Sequence, residues 1–172
     1  TYLRVLESEM EHLGRTISHV SADLAQAALN LLREKKKIYV LGQGVSAPLA
    51  ELFCSMLDAL GRAAETPSAD PLGLAIMLEG LDADTALVVI SLVPESIEMV
   101  NAIKVAEQLG VSTLALTWSP ISPCAQASEI AIHCPTNEAF LMPSFTAAAA
   151  LLDALIQALA QEDAAVVRER NS

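Results

Sequence analysis

The chain has 172 residues, a length that suits one domain, and 53% of them are hydrophobic, which excludes a wholly disordered chain. Aromatic residues make up only 3%, so the core has to be built from aliphatic side chains. Ten Lys and Arg stand against 21 Asp and Glu. The formal charge of -11 predicts a surface that repels nucleic acids and anionic membranes.

Cysteine usage and hydropathy indicate a reducing compartment. The three cysteines, Cys54, Cys124 and Cys134, form no C-x-x-C pair, which favours free thiols over a disulfide framework or a zinc site. No apolar run reaches the ~18–20 residues of a membrane span. No signal-peptide pattern opens the chain. We therefore expect a cytoplasmic protein that contacts no membrane and needs no metal or cofactor.

Residues 1–34 are predicted to form two helices. Apolar side chains recur there at alternating steps of three and four, the heptad pattern of a helix that packs on another helix. They are Leu3, Leu6, Met10, Leu13, Ile17, Val20 and Leu24. Ser21 is placed to cap a second helix from about Ala22 to Glu34. Two interpretations stay open: the seam packs on its own domain, or it is shared with a second subunit or an upstream domain.

From residue 35 onward, strand and helix patterns alternate. Strands are predicted at 38–41, 62–65, 87–91, 113–117 and 130–134, with helices at 49–60, 70–79, 97–109 and 144–161 and a short one after 117. Such alternation, with loops of a few residues, predicts a three-layer α/β/α sandwich around a doubly wound, five-stranded parallel sheet. The domain division is 1–34 for the helical segment, serving linkage or oligomerisation, and 35–172 for the α/β domain.

The loop after the first strand is the first candidate site, because open sheets bind ligands at the carboxyl ends of their strands. Gly42, Gln43 and Gly44 allow the backbone to approach a ligand closely, and Ser46 begins a helix whose N-terminus suits an anion. A dinucleotide fingerprint needs a third glycine where Ala47 stands, so that pattern is incomplete. The plain alternative is a tight turn followed by an N-cap serine.

The loop from Ser91 to Ser96 is the second candidate. Ser91 closes a buried strand and Ser96 is placed to cap the next helix, so two hydroxyls converge on a helix N-terminus. Capping alone explains Ser96 equally well. Farther on, Trp118 either lines the crevice or packs, and Cys124 is predicted to be a loop thiol.

The order of these motifs resembles a known family. A strand, G-x-G-x-S and a helix are followed by a strand, S-x-x-x-x-S and a helix, and then by Ala115–Leu116–Thr117 with Ser122–Pro123 downstream. This arrangement is similar to the sugar-isomerase (SIS) domain, and most like the C-terminal effector-binding domain of RpiR-like bacterial transcriptional regulators. The resemblance covers roughly Leu24 to the end. It includes Glu138, Phe140, Ser144 and Phe145 on the approach to the last helix.

The resemblance implies a domain that binds a phosphosugar or related carbohydrate metabolite. The binding residues it implies are Gly42, Gln43, Gly44, Ser46, Ser91, Ser96, Glu138 and Ser144. It also implies a homodimer or tetramer that uses no cofactor. DNA would be reached only through an N-terminal helix-turn-helix domain that is absent from this chain, which begins at Thr1.

One loop departs from the family's phosphate-binding pattern, S-x-S-G-x-T. Here Val93, Pro94 and Ser96 replace its second serine, its glycine and its threonine. Pro94 has no N–H and Val93 has no hydroxyl, so two donors to a phosphate are missing. The departure leaves phosphorylated, neutral and carboxylated ligands open.

A stand-alone SIS phosphosugar isomerase of the aldose–ketose type is the main alternative, and a purely structural dimerisation module is a third. Isomerisation needs a positioned base, for which Glu138 is the best candidate. His12 and His19 are predicted to be solvated, and His133 to be a core or edge histidine. Because no Glu–His pair is evident and the phosphate loop is altered, the sequence favours a sensor without catalytic residues.

Overall fold

The computed structural model describes the backbone of residues 1–135 and 142–170, and their side chains as far as residue 164. The helices in that part are α1 Tyr2–Ile17, α2 Ala22–Glu34, α3 Ala47–Ala59, α4 Pro71–Glu79, α5 Ile97–Gln108, α6 Pro123–Ala127 and α7 Thr146–Arg170. The strands are β1 Lys37–Gly42, β2 Ala63–Glu65, β3 Thr85–Ser91, β4 Ser112–Thr117 and β5 Ile130–His133. None of the described helices is both long and apolar enough to cross a membrane.

The strands form one sheet in the order β2-β1-β3-β4-β5, and every neighbouring pair is parallel. This confirms the predicted five-stranded parallel sheet and the α/β/α architecture. The last helix differs from its prediction: it begins at Thr146 and continues to Arg170 rather than ending near 161.

Both faces of the sheet are buried, which explains the continuous apolar run in β1. Ile38 and Val40 point into one core, which α2, α3 and α7 cover. Tyr39 and Leu41 point into the other, which α4, α5 and α6 cover. Side chains alternate between the faces of a strand, so a strand that is covered on both sides needs apolar side chains at consecutive positions.

Helix α1 turns a polar face inward. Glu9, His12 and Thr16 are buried, and the Thr16 hydroxyl donates to the His12 carbonyl at 2.9 Å. His12 is only 4% exposed, so the prediction of a solvated histidine is wrong. The apolar seam predicted for residues 3–24 is only partly buried. Its members Leu13, Val20 and Leu24 pack on the core, whereas Leu3, Leu6, Met10 and Ile17 are exposed.

The strand order reverses direction at β1. The chain moves from β1 outward to β2, then crosses back past β1 to β3 and continues to β4 and β5. Consequently, the loop after β1 leads to α3 on one face of the sheet, and the loop after β3 leads to α5 on the other. Two neighbouring loops that diverge in this way leave a crevice between them, the usual ligand position in open α/β sheets.

Candidate functional site

A pocket of about 310 Å³ occupies this crevice. That volume lies at the small end of the ~300–1,000 Å³ found for ligand sites, which suits a small metabolite. Its lining comes from the end of β3, the two loops and the first turn of α5. The lining residues are Gln43, Gly44, Val45, Ser46, Ile90, Ser91, Leu92, Pro94, Glu95, Ser96 and Met99.

Ser46 links the two loops. It sits in a single 3-10 turn, Gly44–Ser46, where Gly44 adopts a positive φ of 57° that favours glycine. The sequence allowed an N-cap role, but the Ser46 side chain makes no capping hydrogen bond to α3. Instead, its Oγ accepts from the backbone N–H of Leu92 at 3.2 Å. Ser46 is 2% exposed, so this hydrogen bond is shielded from water.

The second loop presents two serines and a carboxylate. Ser91 Oγ donates to Glu95 Oε1 at 3.4 Å. Ser96 Oγ accepts from the N–H of Met99 at 3.4 Å, so Ser96 caps α5 and lines the pocket at once. The peptide bond between Val93 and Pro94 in the same loop is cis.

Glu95 is held from the far side by α6. Its Oε1 also accepts from the backbone N–H of Cys124 at 3.0 Å. Burial, chiefly, together with hydrogen bonding to Glu95, raises the pKa of the Cys124 thiol to about 12. Cys124 is fully buried in the first turn of α6, so the prediction of a loop thiol is wrong, and the thiol remains protonated at neutral pH.

Five of the predicted binding residues meet in the pocket: Gln43, Gly44, Ser46, Ser91 and Ser96 line it. Two other predicted residues, Gly42 and Ser144, lie outside its lining. Gly42 ends β1 beneath the loop, where an added Cβ would lie 2.6 Å from the Ser46 carbonyl oxygen. Ser144 accepts from the N–H of Thr146 at 3.3 Å, at the start of α7 outside the pocket lining. Glu138 lies outside the described residues.

Glu95 is the functional candidate that sequence reasoning missed. Its sequence position, one residue before the N-cap Ser96, reads as an ordinary acidic residue near a helix start. The contact that marks it comes from Cys124, which no local pattern connects to Glu95. Trp118, which was expected either to line the crevice or to pack, does not line the pocket, and its indole N–H is buried with no hydrogen-bond partner among the described residues.

The remaining charged candidates have structural roles. Glu65, at the end of β2, forms an ion pair with Lys37, with 2.8 Å between Oε2 and Nζ. His133 is half-buried on the edge strand β5, and its pKa is lowered by burial and then by His19. Among the described residues, no group of three or more His, Cys, Asp and Glu is placed to hold a metal ion.

The sequence comparison decides the family. Residues 31–158 match the model of the SIS domain. The chain belongs to the SIS domain family. The resemblance predicted from the order of the loop motifs is therefore confirmed. A comparison with the curated proteins finds no match.

Solved structures share this SIS fold. The sugar isomerase domain of an RpiR transcription factor from Sphaerobacter thermophilus has a TM-score of 0.89 at 24% identity, covering 98% of this chain and 97% of that one. The Vibrio vulnificus NanR protein complexed with ManNAc-6P has a TM-score of 0.81 at 18% identity, covering 98% and 69%.

A third similar structure has been connected with catalysis. It is a hypothetical protein from Methanococcus jannaschii, for which a molecular function of 3-hexulose-6-phosphate isomerase has been inferred. Its TM-score is 0.70 at 15% identity, covering 92% of this chain and 90% of that one. At these identities the likenesses establish the fold, and the ligand has to be argued from the SIS pocket itself.

Proposed function

We propose that this chain is the effector-binding SIS domain of an RpiR-like transcriptional regulator, and that it senses a phosphosugar or related carbohydrate metabolite in the pocket between the β1–α3 and β3–α5 loops. The hydrogen bond from the Leu92 N–H to Ser46 Oγ, at 3.2 Å, carries the proposal because it joins two hydroxyl-bearing loops around one pocket. The solved RpiR domain supports the regulator class, and the NanR complex with ManNAc-6P supports the ligand class.

A sensing role is favoured over catalysis by what surrounds the pocket. An aldose–ketose isomerase needs a base that can take a proton from the carbon next to the carbonyl. Glu95 is the one carboxylate among the described lining residues, and one of its oxygens already accepts from Cys124 N and Ser91 Oγ. The isomerase stays the second candidate, since the Methanococcus jannaschii protein shares the fold.

Binding tests the proposal directly. Isothermal titration against sugars, sugar phosphates and sugar acids is expected to reveal at least one ligand with a Kd below 1 mM, roughly 4 kcal/mol of binding free energy. Ser91→Ala and Ser96→Ala should weaken its binding severalfold. Ser55→Ala is the matched control, because Ser55 is an exposed serine on α3 that does not line the pocket. Wild-type affinity in both pocket variants would contradict the assignment.

Turnover separates the sensor from the isomerase. We expect no interconversion of aldose and ketose phosphates when they are incubated with the protein and followed by NMR. Turnover that disappears in Glu95→Gln would replace the sensor proposal with the isomerase.

Self-association is the second part of the proposal. The exposed apolar side chains of α1, such as Met10 at 74% and Leu3 at 69%, suit an interface with a second copy. In the regulator, such a dimer would act in the cytoplasm and control a helix-turn-helix domain outside this chain. Met10→Glu should shift the protein toward the monomer in light scattering, whereas Leu72→Glu, at an exposed position on α4, should not. A Met10→Glu protein with the wild-type mass would exclude α1 as the interface.

A further inference from the structure

The carboxyl edge of the sheet contains no cationic loop. The segments that follow the five strands, 43–46, 66–70, 92–96, 118–122 and 134–145, contain no Lys and no Arg. The first turns of α3 and α5 contain none either. A phosphate or carboxylate placed here would therefore meet no Lys or Arg of these segments, and its negative charge would have to be balanced by hydroxyls and backbone amides alone.

The side-chain donors are few in this pocket. Pro94 has no N–H and Val93 has no hydroxyl. The Ser91 hydroxyl proton is directed to Glu95. Ser46 and Ser96 accept from the backbone N–H groups of Leu92 and Met99, so each keeps one hydroxyl proton to give a ligand. The serines thus offer isolated donors rather than the dense array that three phosphate oxygens require.

Glu95 adds a negative charge and an acceptor. A carboxylate has about four acceptor positions, and the described contacts from Cys124 N and Ser91 Oγ use two of them. The remaining positions can accept from a ligand that brings its own donors. The same charge would repel a phosphate or a second carboxylate bound beside it.

Sugar hydroxyls suit a pocket that offers both donors and an acceptor, because each hydroxyl both donates and accepts. They can accept from Ser46 and Ser96 while donating to Glu95. Aliphatic side chains, including Val45, Ile90 and Met99, line the rest of the pocket and suit the C–H face of a sugar ring.

We propose that this pocket selects a polyhydroxylated ligand that carries no phosphate or carboxylate, with Glu95 accepting hydrogen bonds from its hydroxyl groups. The proposal rests on the sensing function above and, of the ligands named there, selects an uncharged carbohydrate metabolite, a sugar or polyol, over a phosphosugar. It assigns Glu95 as a specificity-determining residue.

A matched set of ligands tests the selection. Isothermal titration would compare free hexoses, pentoses and N-acetylamino sugars with the same compounds carrying a terminal phosphate, and with the corresponding sugar acids. We expect the best free sugar to bind at least tenfold more tightly than its phosphate. A tighter phosphate would overturn this inference and leave the sensing function standing. If neither form binds at 10 mM, both proposals fail.

Two variants test the mechanism of selection. Glu95→Gln should weaken the best free sugar at least tenfold and reduce the discrimination against its phosphate. Glu98→Gln is the control, because it removes a carboxylate from the first turn of α5 but lies outside the pocket lining, and it should change the affinity less than twofold. Unchanged affinity in Glu95→Gln, with the wild-type melting temperature, would show that Glu95 does not contact the ligand.

The loop can also be returned to the family pattern. The double variant Val93→Ser/Pro94→Gly restores a hydroxyl and an amide, so it should bind the sugar phosphate at least fivefold more tightly than the wild type does. If that double variant, correctly folded by its melting curve, gains no phosphate affinity, the missing donors are not what excludes the phosphate.

Discussion

The two edges of the sheet are built from opposite chemistry. At the amino edge, Lys36 precedes β1, Lys37 begins it, and Arg62 precedes β2. The four ion pairs among the described residues, Arg33–Glu162, Lys36–Asp84, Lys37–Glu65 and Arg62–Asp163, all involve cations at this edge. The loops leaving the carboxyl edge have no Lys or Arg and are joined by serine hydroxyls and backbone amides.

The amino edge therefore supports the fold, whereas the carboxyl edge forms the candidate binding pocket. Ion pairs with exposed partners tolerate change because solvent screens them. The carboxyl edge depends on one close backbone approach, one buried hydrogen bond and several part-buried ones, which tolerate little change. Perturbations at the carboxyl edge should therefore affect the pocket and stability together, whereas those at the amino edge should affect stability alone.

Gly42→Ala is expected to be the largest perturbation. The new Cβ would lie 2.6 Å from the Ser46 carbonyl oxygen and 2.9 Å from the Ala50 Cβ, so the pocket loop has to move. We expect a loss of about 3 kcal/mol in the free energy of unfolding, measured by urea denaturation. Gly14→Ala in α1 is the matched control, where nothing lies within 4 Å and about 0.5–1 kcal/mol should be gained. Equal effects would contradict the close approach at Gly42.

Arg62→Met tests the strongest connection at the amino edge. The Arg62 side chain is 18% exposed and donates to both oxygens of Asp163, at 2.8 and 2.9 Å, and to the Arg33 carbonyl. Its loss should cost about 1–2 kcal/mol, reduced by the partial exposure of Asp163. Lys36→Met is the comparison, since the Lys36–Asp84 pair is exposed and screened by solvent, so its loss should lower the free energy of unfolding less than the loss of Arg62 does. Ligand affinity should not change in either variant. A change in affinity would contradict the proposal that the amino edge affects stability alone.

Ser46→Ala should cost about 1 kcal/mol, because it leaves the Leu92 amide without its acceptor in a buried position. Ligand affinity should fall as well, since the two loops lose their connection. Ser55→Ala, which removes an exposed hydroxyl bonded to the Glu51 carbonyl on the same helix, should change neither quantity. Full stability in Ser46→Ala would mean that water replaces the serine and that the loops are not tied.

The smallest effect is expected from pH. Burial, and to a lesser extent the charge of His19, lowers the pKa of His133 below its ordinary 6.5. The unfolded chain therefore binds a proton more readily than the folded one, and stability should fall as pH drops from 6.5 toward the lowered value. His133→Gln should flatten this part of the curve of melting temperature against pH. Parallel curves for the two proteins would show that His133 does not contribute.

Much of the fold was predictable because it depends on local patterns. The buried run at 38–41 and the glycines at 61 and 110 mark strands and helix ends whatever the rest of the chain does. The positions of Gly44 and Ser46 after β1 likewise follow from the alternation of strands and helices. Five of the eight predicted binding residues lie in one pocket for this reason.

What could not be predicted depends on contacts between distant segments. Ser46 bonds to Leu92 and Glu95 bonds to Cys124, and neither partner is visible in the local sequence. Which face of α1 is buried could not be predicted for a different reason. A strong apolar seam suggests the buried side of a helix, yet here His12 is buried and Met10 is exposed. Periodicity identifies a face but not what covers it.

The hydrogen bond between Ser46 and Leu92 has a mechanical consequence. Helix α3 starts directly after Ser46 on one face of the sheet, and α5 follows the Leu92 loop on the other. A ligand that displaces either loop would have to break this hydrogen bond or move the helix on the opposite face of the sheet. The pocket is therefore connected by short chain segments to helices on both outer surfaces of the domain.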